Sequence, residues 1–206
     1  VDPAGVGHGS HRIAAGFLDA MLDRSLDALG VDTIDCYYVH NPETQLATRD
    51  RDAVYEQLGA AFEALERRRA VGDIGDYGVA TWEAFRVPRD HDAHLDLADV
   101  LAQAQAAAER VGLDDHGLRA VQLPFNVRMA DAFTVEAHSG GETTGGGGSG
   151  DGDEPTSALE FCHREGLSVF AAASLGQGDL TRPGAIPEAV QAELAGGSPA
   201  PRALNL

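Results

Sequence analysis

The sequence predicts an α/β fold built on a parallel sheet, because strand-like and helix-like segments alternate along nearly the whole chain. Four segments rich in β-branched and other apolar residues begin roughly 40–50 residues apart, and each follows a segment with apolar side chains at helical spacing. Strands that alternate with helices in this way form parallel βαβ units with right-handed crossovers. The alternation alone leaves open whether the sheet closes into a barrel or stays open and doubly wound.

The first helix is predicted over residues 11–29, where apolar side chains recur every three or four positions. Ser10 is suited to cap its N-terminus, because a serine hydroxyl accepts a hydrogen bond from a free backbone N–H. Gly30 is suited to end the helix, since glycine readily adopts the left-handed conformation that closes helices.

The first strand is predicted over residues 32–40, which are rich in Val, Ile, Thr and Tyr and are expected to be buried. Pro42 stops the strand because proline has no N–H to donate to a sheet. The residue before a proline favours extended geometry, so Asn41 is assigned to the strand exit. His40 thus lies at the end of a buried strand, where a histidine is either a satisfied core residue or a site residue.

The remaining elements continue the same alternation. Helices are predicted over residues 52–70, 95–111, 155–165 and 187–194, and strands over residues 74–80, 118–123 and 167–173. The last of these strands is apolar throughout, which is typical of a parallel strand covered on both faces. An acidic Gly/Ser-rich tract at residues 139–153 is too poor in apolar groups to pack, and it is predicted to be a flexible loop inserted in a single domain of residues 1–206.

The composition limits the partners and the compartment of the protein. The net charge is −18 and all 15 basic residues are arginine, so nucleic acid and anionic membranes are expected to be poor partners. At roughly molar salt the Debye length falls to about 3 Å, so the dissolved ions screen most of the repulsion between the acidic side chains. We therefore expect a salt-adapted protein. The chain shows no apolar run of transmembrane length, no secretory signal and only two cysteines, which together predict a cytoplasmic protein.

Polar or glycine-rich segments follow all four predicted strands. His40 ends the first strand, Thr81 follows the second, Asn126 follows the third, and residues 174–178 (SLGQG) follow the fourth. In parallel α/β folds the carboxyl ends of the strands carry the functional site. We therefore predict a site at this edge of the sheet.

Four segments, in this order, resemble the aldo-keto reductase family. Residues 25–40 (SLDALGVDTIDCYYVH) are similar to the family's SLxxLGxDxIDLYxxH, and residues 75–81 (GDYGVAT) are similar to its IGVSN strand. The pair at 121–122 (VQ) is similar to its VQ strand, and residues 167–180 (LSVFAAASLGQGDL) are similar to GIxVxAYSPLGQGxL. The resemblance implies a (β/α)8 barrel of the TIM type, NADP(H) as cofactor, and interconversion of a small-molecule carbonyl and an alcohol.

The resemblance also implies roles for individual residues. His40 matches the family's catalytic histidine, which orients and polarises the substrate carbonyl. Gln122 matches the residue that hydrogen-bonds the nicotinamide carboxamide, and Thr81 is able to keep one further hydrogen bond to that group. The cofactor pyrophosphate would lie against the backbone N–H groups of four consecutive residues: Ser174, Leu175, Gly176 and Gln177.

The sequence departs from the family pattern in several places. Ala80 replaces a serine, and Ala172 stands where a tyrosine stacks on the nicotinamide. The family's catalytic Tyr, Asp and Lys lie before the first helix recognised here, and the sequence contains no lysine. We therefore expect an incomplete barrel, about strands 4 to 7 of 8, that is a fragment or a degenerate product and has no reductase activity alone. Its open sheet edges and uncovered inner face favour self-association.

Two other functions stay open. A catalytically inactive barrel relic or a non-catalytic nucleotide-binding protein would explain the two alanine replacements. A metal hydrolase would use His91 and His94, which lie three positions apart beside Asp90 and Asp92. That group has no partner ligands at the strand ends, so a solvated acidic loop explains it better and no metal site is predicted.

Overall fold

The computed structural model describes residues 12–139, 154–186 and 190. The helices are α1 (Ala15–Leu29), α2 (Arg51–Ala70), α3 (Leu97–Val111), α4 (Asp131–Thr134) and α5 (Ala158–Arg164). The strands are β1 (Ile34–His40), β2 (Ile74–Ala80), β3 (Leu118–Pro124), β4 (Glu136–His138), β5 (Thr156–Ser157) and β6 (Ser168–Ala172). Two 3-10 helices, Pro42–Ala47 and Gly176–Thr181, follow β1 and β6. Within these described ranges, no helix has the length and apolar character needed to cross a membrane.

The four longer strands form one parallel sheet in the order β1-β2-β3-β6. Neighbours in the sheet are also successive long strands along the chain with helix between them, which is the arrangement of βαβ units. The predicted parallel α/β fold is therefore confirmed, and all four strands end at the same edge. A separate antiparallel pair, β4 with β5, joins His138 to Thr156 and was not predicted.

One face of the sheet is buried beneath α2, which packs between α1 and α3. Side chains alternate between the two faces of a strand, so every second residue contributes to this core. The ring of Tyr77 is fully buried and stacks on Phe62 of α2, with ring centroids 5.2 Å apart. Full burial of a side chain such as Phe62 contributes roughly 1.5–3 kcal/mol. The buried side chains that the sheet turns to the helices include Val39, Tyr77, Val79, Val121 and Leu123.

A fully buried carboxylate, Glu66 of α2, joins this helix to two strands. Its Oε1 accepts hydrogen bonds from the Tyr77 hydroxyl (2.8 Å) and the Gly117 N–H (2.6 Å), and its Oε2 accepts one from Arg69 (3.2 Å). Gly117 directly precedes β3, so this contact lies near the amino ends of the strands. Burial, and then the neighbouring Glu66 charge, raise the pKa of Tyr77 far above its usual value, so its hydroxyl stays a donor.

The first and last strands of the sheet are less buried than predicted. In β1 only Val39 is buried, and in β6 Phe170 is 51% exposed. Both strands lie at edges of the described sheet and have a hydrogen-bonded neighbour on one side only. The prediction that residues 32–40 and 167–173 form buried strands is therefore wrong, and the face that carries Phe170 is open.

The ends of α1 agree with the predicted capping residues only in part. The helix begins at Ala15 because the residue before it is extended, so the predicted start at residue 11 is wrong. Ser10, the predicted cap, lies outside the described residues. Gly30 ends the helix as predicted, with φ of 66° and an N–H that closes the last turn at 2.9 Å.

Two predicted segments fall almost wholly outside the described residues. The tract at 139–153 is described only at Ser139, whose N–H and hydroxyl donate to the carboxylate of Asp96. Its flexibility stays a prediction. The helix predicted over residues 187–194 is described only at Val190.

In the charged loop before α3, Asp90, His91 and Asp92 are exposed as expected, whereas His94 is buried. His94 is 4% exposed, and its ring stacks on that of His138 in β4 with centroids 5.7 Å apart. His138 Nδ1 accepts from the Leu97 N–H (3.2 Å), and its Nε2 lies 2.9 Å from the Phe85 carbonyl oxygen. A solvated position was therefore the wrong expectation for His94. In the part of the chain that is described, no three His, Cys, Asp or Glu side chains group to hold a metal ion.

Acid is expected to destabilise the fold through His94. Burial and the neighbouring His138 ring lower the pKa of His94 to about 4, from an ordinary value of 6.5 that the unfolded chain keeps. As the pH falls through this interval the unfolded state binds more protons than the folded state, so up to about 3 kcal/mol of stability is lost. Thermal melts from neutral pH to about pH 4 should show a steeper loss for the wild type than for His94→Gln.

The matched control for this comparison is His163→Gln, at an exposed position on α5. It should keep the acid sensitivity of the wild type, because it leaves the buried His94 in place. Equal acid sensitivity of the wild type and His94→Gln would contradict the role assigned to burial.

The open face and the edge strand β6 are expected to mediate self-association. Exposed edges with apolar side chains pair with other chains, and a charge placed on such an edge prevents pairing. Phe170→Glu should therefore shift the protein towards monomer in analytical ultracentrifugation at high salt. Phe133→Glu, at a 66% exposed position outside the main sheet, should leave association unchanged. A wild type that stays monomeric at high protein concentration would count against this prediction.

Candidate functional site

A row of side chains crosses the sheet close to its carboxyl edge. The register pairs His40 with Ala80, Ala80 with Gln122, and Gln122 with Phe170. Paired residues of neighbouring strands point to the same face and lie roughly 4.8 Å apart, so these four side chains share one face. His40 is exposed and Gln122 is half-buried. The two are thus about 10 Å apart, with a single methyl group between them.

Thr81 does not join this row. It follows Ala80 directly, so the alternation of side chains places it on the opposite face, and it is 4% exposed. Its N–H donates to the carbonyl of Gln122 (2.9 Å), which extends the pairing of β2 with β3. Its hydroxyl is buried and has no hydrogen-bond partner among the described residues. The backbone of Thr81 therefore holds two strands together at the edge where the site was predicted.

The segment after β6 reaches the same edge as a turn that is closed on itself. The Gly176 N–H donates to the carbonyl three residues earlier (2.7 Å), and the Ser174 hydroxyl does the same at 3.1 Å. Leu175 packs against Leu180 in a small apolar cluster, and Gln177 is left-handed with φ of 55°. Of the four N–H groups predicted to face a pyrophosphate, that of Gly176 is therefore already bonded within the turn.

An aromatic pair lies on the open face beside His40. Tyr38, two residues earlier on the same face of β1, meets Phe170 edge-on with ring centroids 6.3 Å apart. β1 and β6 are separated by two strands and would lie roughly 14 Å apart in a flat sheet. The two side chains therefore lean towards each other over β2 and β3. Gly78 makes room for this, because a Cβ there would lie 2.6 Å from the Tyr38 ring. Sequence analysis missed this pair, although the alternation of Cys36, Tyr38 and His40 indicates one shared face.

Tyr38 and Cys36, which share the face of β1 that carries His40, are neutral at physiological pH. Partial burial, and then the neighbouring Cys36, raise the pKa of Tyr38 to about 12. Burial also raises the pKa of the Cys36 thiol, and the nearby carboxylates of Asp76 and Asp35 add to the rise. A general acid works best with a pKa near the working pH, and a reactive thiol needs a lowered pKa. These two side chains therefore offer hydrogen bonds rather than proton transfer.

The loop after β1 differs from the predicted geometry. Asn41 is left-handed, with φ of 45° and ψ of 57°, rather than extended, and its N–H donates to the Ala80 carbonyl (2.6 Å). Asparagine tolerates this conformation better than most residues, although a residue so placed still costs on the order of 1–3 kcal/mol. Pro42 then begins a 3-10 helix that contains the buried side chains of Glu43 and Gln45. Tertiary hydrogen bonding outweighs the local preference of a residue before proline.

Glu43 connects the loop after β1 to the loop after β2, and sequence analysis missed it. Its Oε1 accepts hydrogen bonds from the N–H groups of Trp82 (2.7 Å) and Glu83 (3.1 Å), and the residue is 8% exposed. Its Oε2 is buried and has no hydrogen-bond partner in the described chain, which costs about 1–3 kcal/mol or more. Because Trp82 follows Thr81, this carboxylate links the segments that carry two predicted site residues.

The first half of the chain carries a family match. The model of the Aldo/keto reductase family matches residues 5–109, just over half of the chain. The chain belongs to the aldo/keto reductase family. The match includes β1 and β2 and ends before β3, so it covers His40 and Thr81 but not Gln122. Members of this family bind NAD(P)H.

Solved aldo/keto reductases resemble the chain in fold. A thermostable aldo-keto reductase in complex with the inhibitor epalrestat is 15% identical, with a TM-score of 0.51, over 87% of this chain and 45% of its own. A glycerol dehydrogenase from Gluconobacter oxydans is 16% identical, with a TM-score of 0.52, over 89% of this chain and 43% of its own. An aldo/keto reductase from Klebsiella pneumoniae in complex with NADP and acetate is 21% identical, with a TM-score of 0.42, over 89% of this chain and 44% of its own.

The chain therefore spans less than half the length of these three structures. At such low identities the first two matches support the fold alone. Among curated protein sequences, none matches the chain.

An added methyl group at Gly78 is expected to disturb the open face of the sheet. The new Cβ would lie 2.6 Å from the Tyr38 ring and 2.7 Å from the carbonyl oxygen of Ala120. Such overpacking costs about 1–3 kcal/mol, so Gly78→Ala should lower the melting temperature clearly. Gly16→Ala is the control, because a Cβ at this position in α1 has nothing within 4 Å and alanine favours helix. A Gly78→Ala variant as stable as the wild type would refute the close approach of Tyr38.

Proposed function

We propose that this chain is the substrate- and cofactor-facing part of an NADP(H)-dependent oxidoreductase of the aldo/keto reductase type. The observation that carries the proposal is the row of His40, Ala80 and Gln122, which sets an imidazole and a carboxamide on one face at the carboxyl edge of the sheet. Membership of the family supports the same reaction class, the reduction of a small-molecule carbonyl to an alcohol.

His40 would act on the substrate. A neutral imidazole donates a hydrogen bond to a carbonyl oxygen and stabilises the negative charge that develops as the carbonyl becomes an alkoxide. The side chain of His40 is exposed at the strand end, so a substrate reaches it from the open face. Tyr38 and Phe170 supply apolar surface on that face for the rest of the substrate.

The cofactor would lie against the same row. The amide of Gln122 offers both a donor and an acceptor, which match those of a nicotinamide carboxamide. Ala80 places only a buried methyl group between Gln122 and His40 in this row. When bound, NADP(H) supplies the hydride. The remaining proposed contacts come from Ser174, Leu175, Gly176 and Gln177, with the Gly176 N–H held in its own turn. The resemblance also assigns a contact to Thr81, but its buried side chain lies on the face opposite the row.

We assign the four long strands to about strands 4 to 7 of an eight-stranded barrel, within a single domain of residues 1–206 that has residues 139–153 as an inserted loop. The convergence of Tyr38 and Phe170 on one face supports the curvature that a barrel needs. The sequence contains no lysine, so the family's catalytic lysine is missing from these residues. We therefore propose that the 206 residues alone do not reduce carbonyl compounds.

A non-catalytic nucleotide-binding protein, or an inactive relic of the barrel, is the second candidate. Ala80 and Ala172 support it, because both replace side chains that resemblance to the family assigns to nicotinamide binding. Such a protein would keep the row at the carboxyl edge and bind the nucleotide without turnover.

We also propose a salt-adapted cytoplasmic protein. A net charge of −18 with no lysine supports adaptation to high salt, where the repulsion between carboxylates is screened. The same charge disfavours nucleic acid and anionic membranes as partners. Self-association through the edges of the sheet is the partnership that this proposal includes.

The 206-residue chain is expected to bind NADPH without turning over carbonyl compounds. Binding is measured by fluorescence titration at high salt, and turnover by carbonyl-dependent loss of NADPH absorbance. Gln122→Ala should weaken binding roughly tenfold, since it removes the hydrogen bonds to the carboxamide. Gln105→Ala, at an exposed position on α3, should leave binding unchanged.

Two outcomes would contradict this proposal in separate ways. Steady carbonyl-dependent loss of NADPH by the purified chain would refute the predicted inactivity. Equal affinity of Gln122→Ala and the wild type would refute the cofactor site.

A further inference from the structure

The carboxylate of Glu43 lies between the two loops that carry proposed site residues. Its Oε1 accepts from the N–H groups of Trp82 (2.7 Å) and Glu83 (3.1 Å), the two residues that follow Thr81. Glu43 itself stands only three positions after His40. One buried side chain therefore connects the exit of β1 to the exit of β2.

The other bonds at this point lie within the sheet, whereas those of Glu43 lie beyond it. The Asn41 N–H donates to the Ala80 carbonyl (2.6 Å), and the Thr81 N–H donates to the Gln122 carbonyl (2.9 Å). These bonds fix the ends of the strands. The two bonds to Glu43 fix the turn that follows, so they decide where the chain leaves the edge of the sheet.

The contacts of Glu43 come with features that lower the stability of the fold, so stability alone does not explain them. Glu43 Oε2 is buried without a hydrogen-bond partner in the described residues, and Asn41 is held in a left-handed conformation. Both features lower stability. Glu66, by contrast, is a buried carboxylate with hydrogen bonds to both of its oxygens. The Glu43 contact thus maintains a particular loop geometry at the expense of stability.

We propose that Glu43 is a positioning residue of the site. It holds the turn at Trp82 and Glu83 against the loop after β1, and the position of this turn beside the row determines how well NADP(H) binds there. It acts through the backbone and does not itself touch substrate or cofactor. The inference rests on the proposed function, because it names a residue that the same site requires.

The experiment compares Glu43→Ala and Glu43→Gln with the control Glu66→Ala in the 206-residue chain. Both alanine variants remove a buried carboxylate that accepts two hydrogen bonds through one oxygen, but Glu66 lies near the amino ends of the strands. Three quantities are measured at high salt: the dissociation constant for NADPH, the melting temperature, and the acrylamide quenching of Trp82, which is the one tryptophan of the chain.

Glu43→Ala should raise the dissociation constant for NADPH roughly tenfold and increase the quenching of Trp82. Glu43→Gln should restore much of the affinity, because its amide oxygen still accepts from both N–H groups. Glu66→Ala should lower the melting temperature but leave the dissociation constant unchanged. If Glu43→Ala does not fold, Glu43→Asp replaces it, since a carboxylate one methylene shorter withdraws from the turn and should also weaken binding.

Different results separate the two proposals. A wild type that does not bind NADPH refutes the proposed function, and the inference with it. A wild type that binds, with unchanged affinity in the Glu43→Ala or Glu43→Asp variant, refutes the inference alone. An equal loss of affinity in Glu66→Ala would also refute it, because binding would then follow stability rather than the geometry of the turn.

Discussion

The burial of the Glu66 carboxylate between α2 and the strands is the constraint on which the rest of the sheet depends. A carboxylate removed from water must have its hydrogen bonds satisfied, and Glu66 finds them at Tyr77 and at Gly117. Because Tyr77 lies in β2 and Gly117 directly precedes β3, this one side chain connects the helix to both strands. Beyond this contact the register of the two strands shifts between Tyr77 and Gly78 and then aligns Ala80 with Gln122 at the far edge.

Local sequence signals predicted the bounds of the helices and strands better than they predicted which strands are buried. The helix predicted over residues 52–70 differs from α2 by one residue, and the strand predicted over residues 74–80 agrees with β2, because both lie between clear turn residues. The same kind of signal did not predict burial at the edges of the sheet. The sequence of an apolar strand such as β6 looks the same whether or not another element packs on it. Its exposure depends on that other element, which the strand's own sequence does not reveal.

The site was predictable where it depends on strand ends and unpredictable where it depends on contacts between distant residues. His40 and Gln122 share a row because parallel strands end together, which the alternation of elements already implies. Glu43 and His94 looked like members of solvated loops, since each is surrounded by polar neighbours in the sequence. Their burial comes from segments about 40 residues away, at Trp82 and His138, and no local pattern records such contacts.

The antiparallel pairing of His138 with Thr156 brings both ends of the segment between them to neighbouring positions. The two residues are 18 positions apart in the sequence, so this pair of short strands joins the end of the segment that follows α4 to the start of α5. The pairing therefore anchors α5 beside β4 independently of the four-stranded sheet.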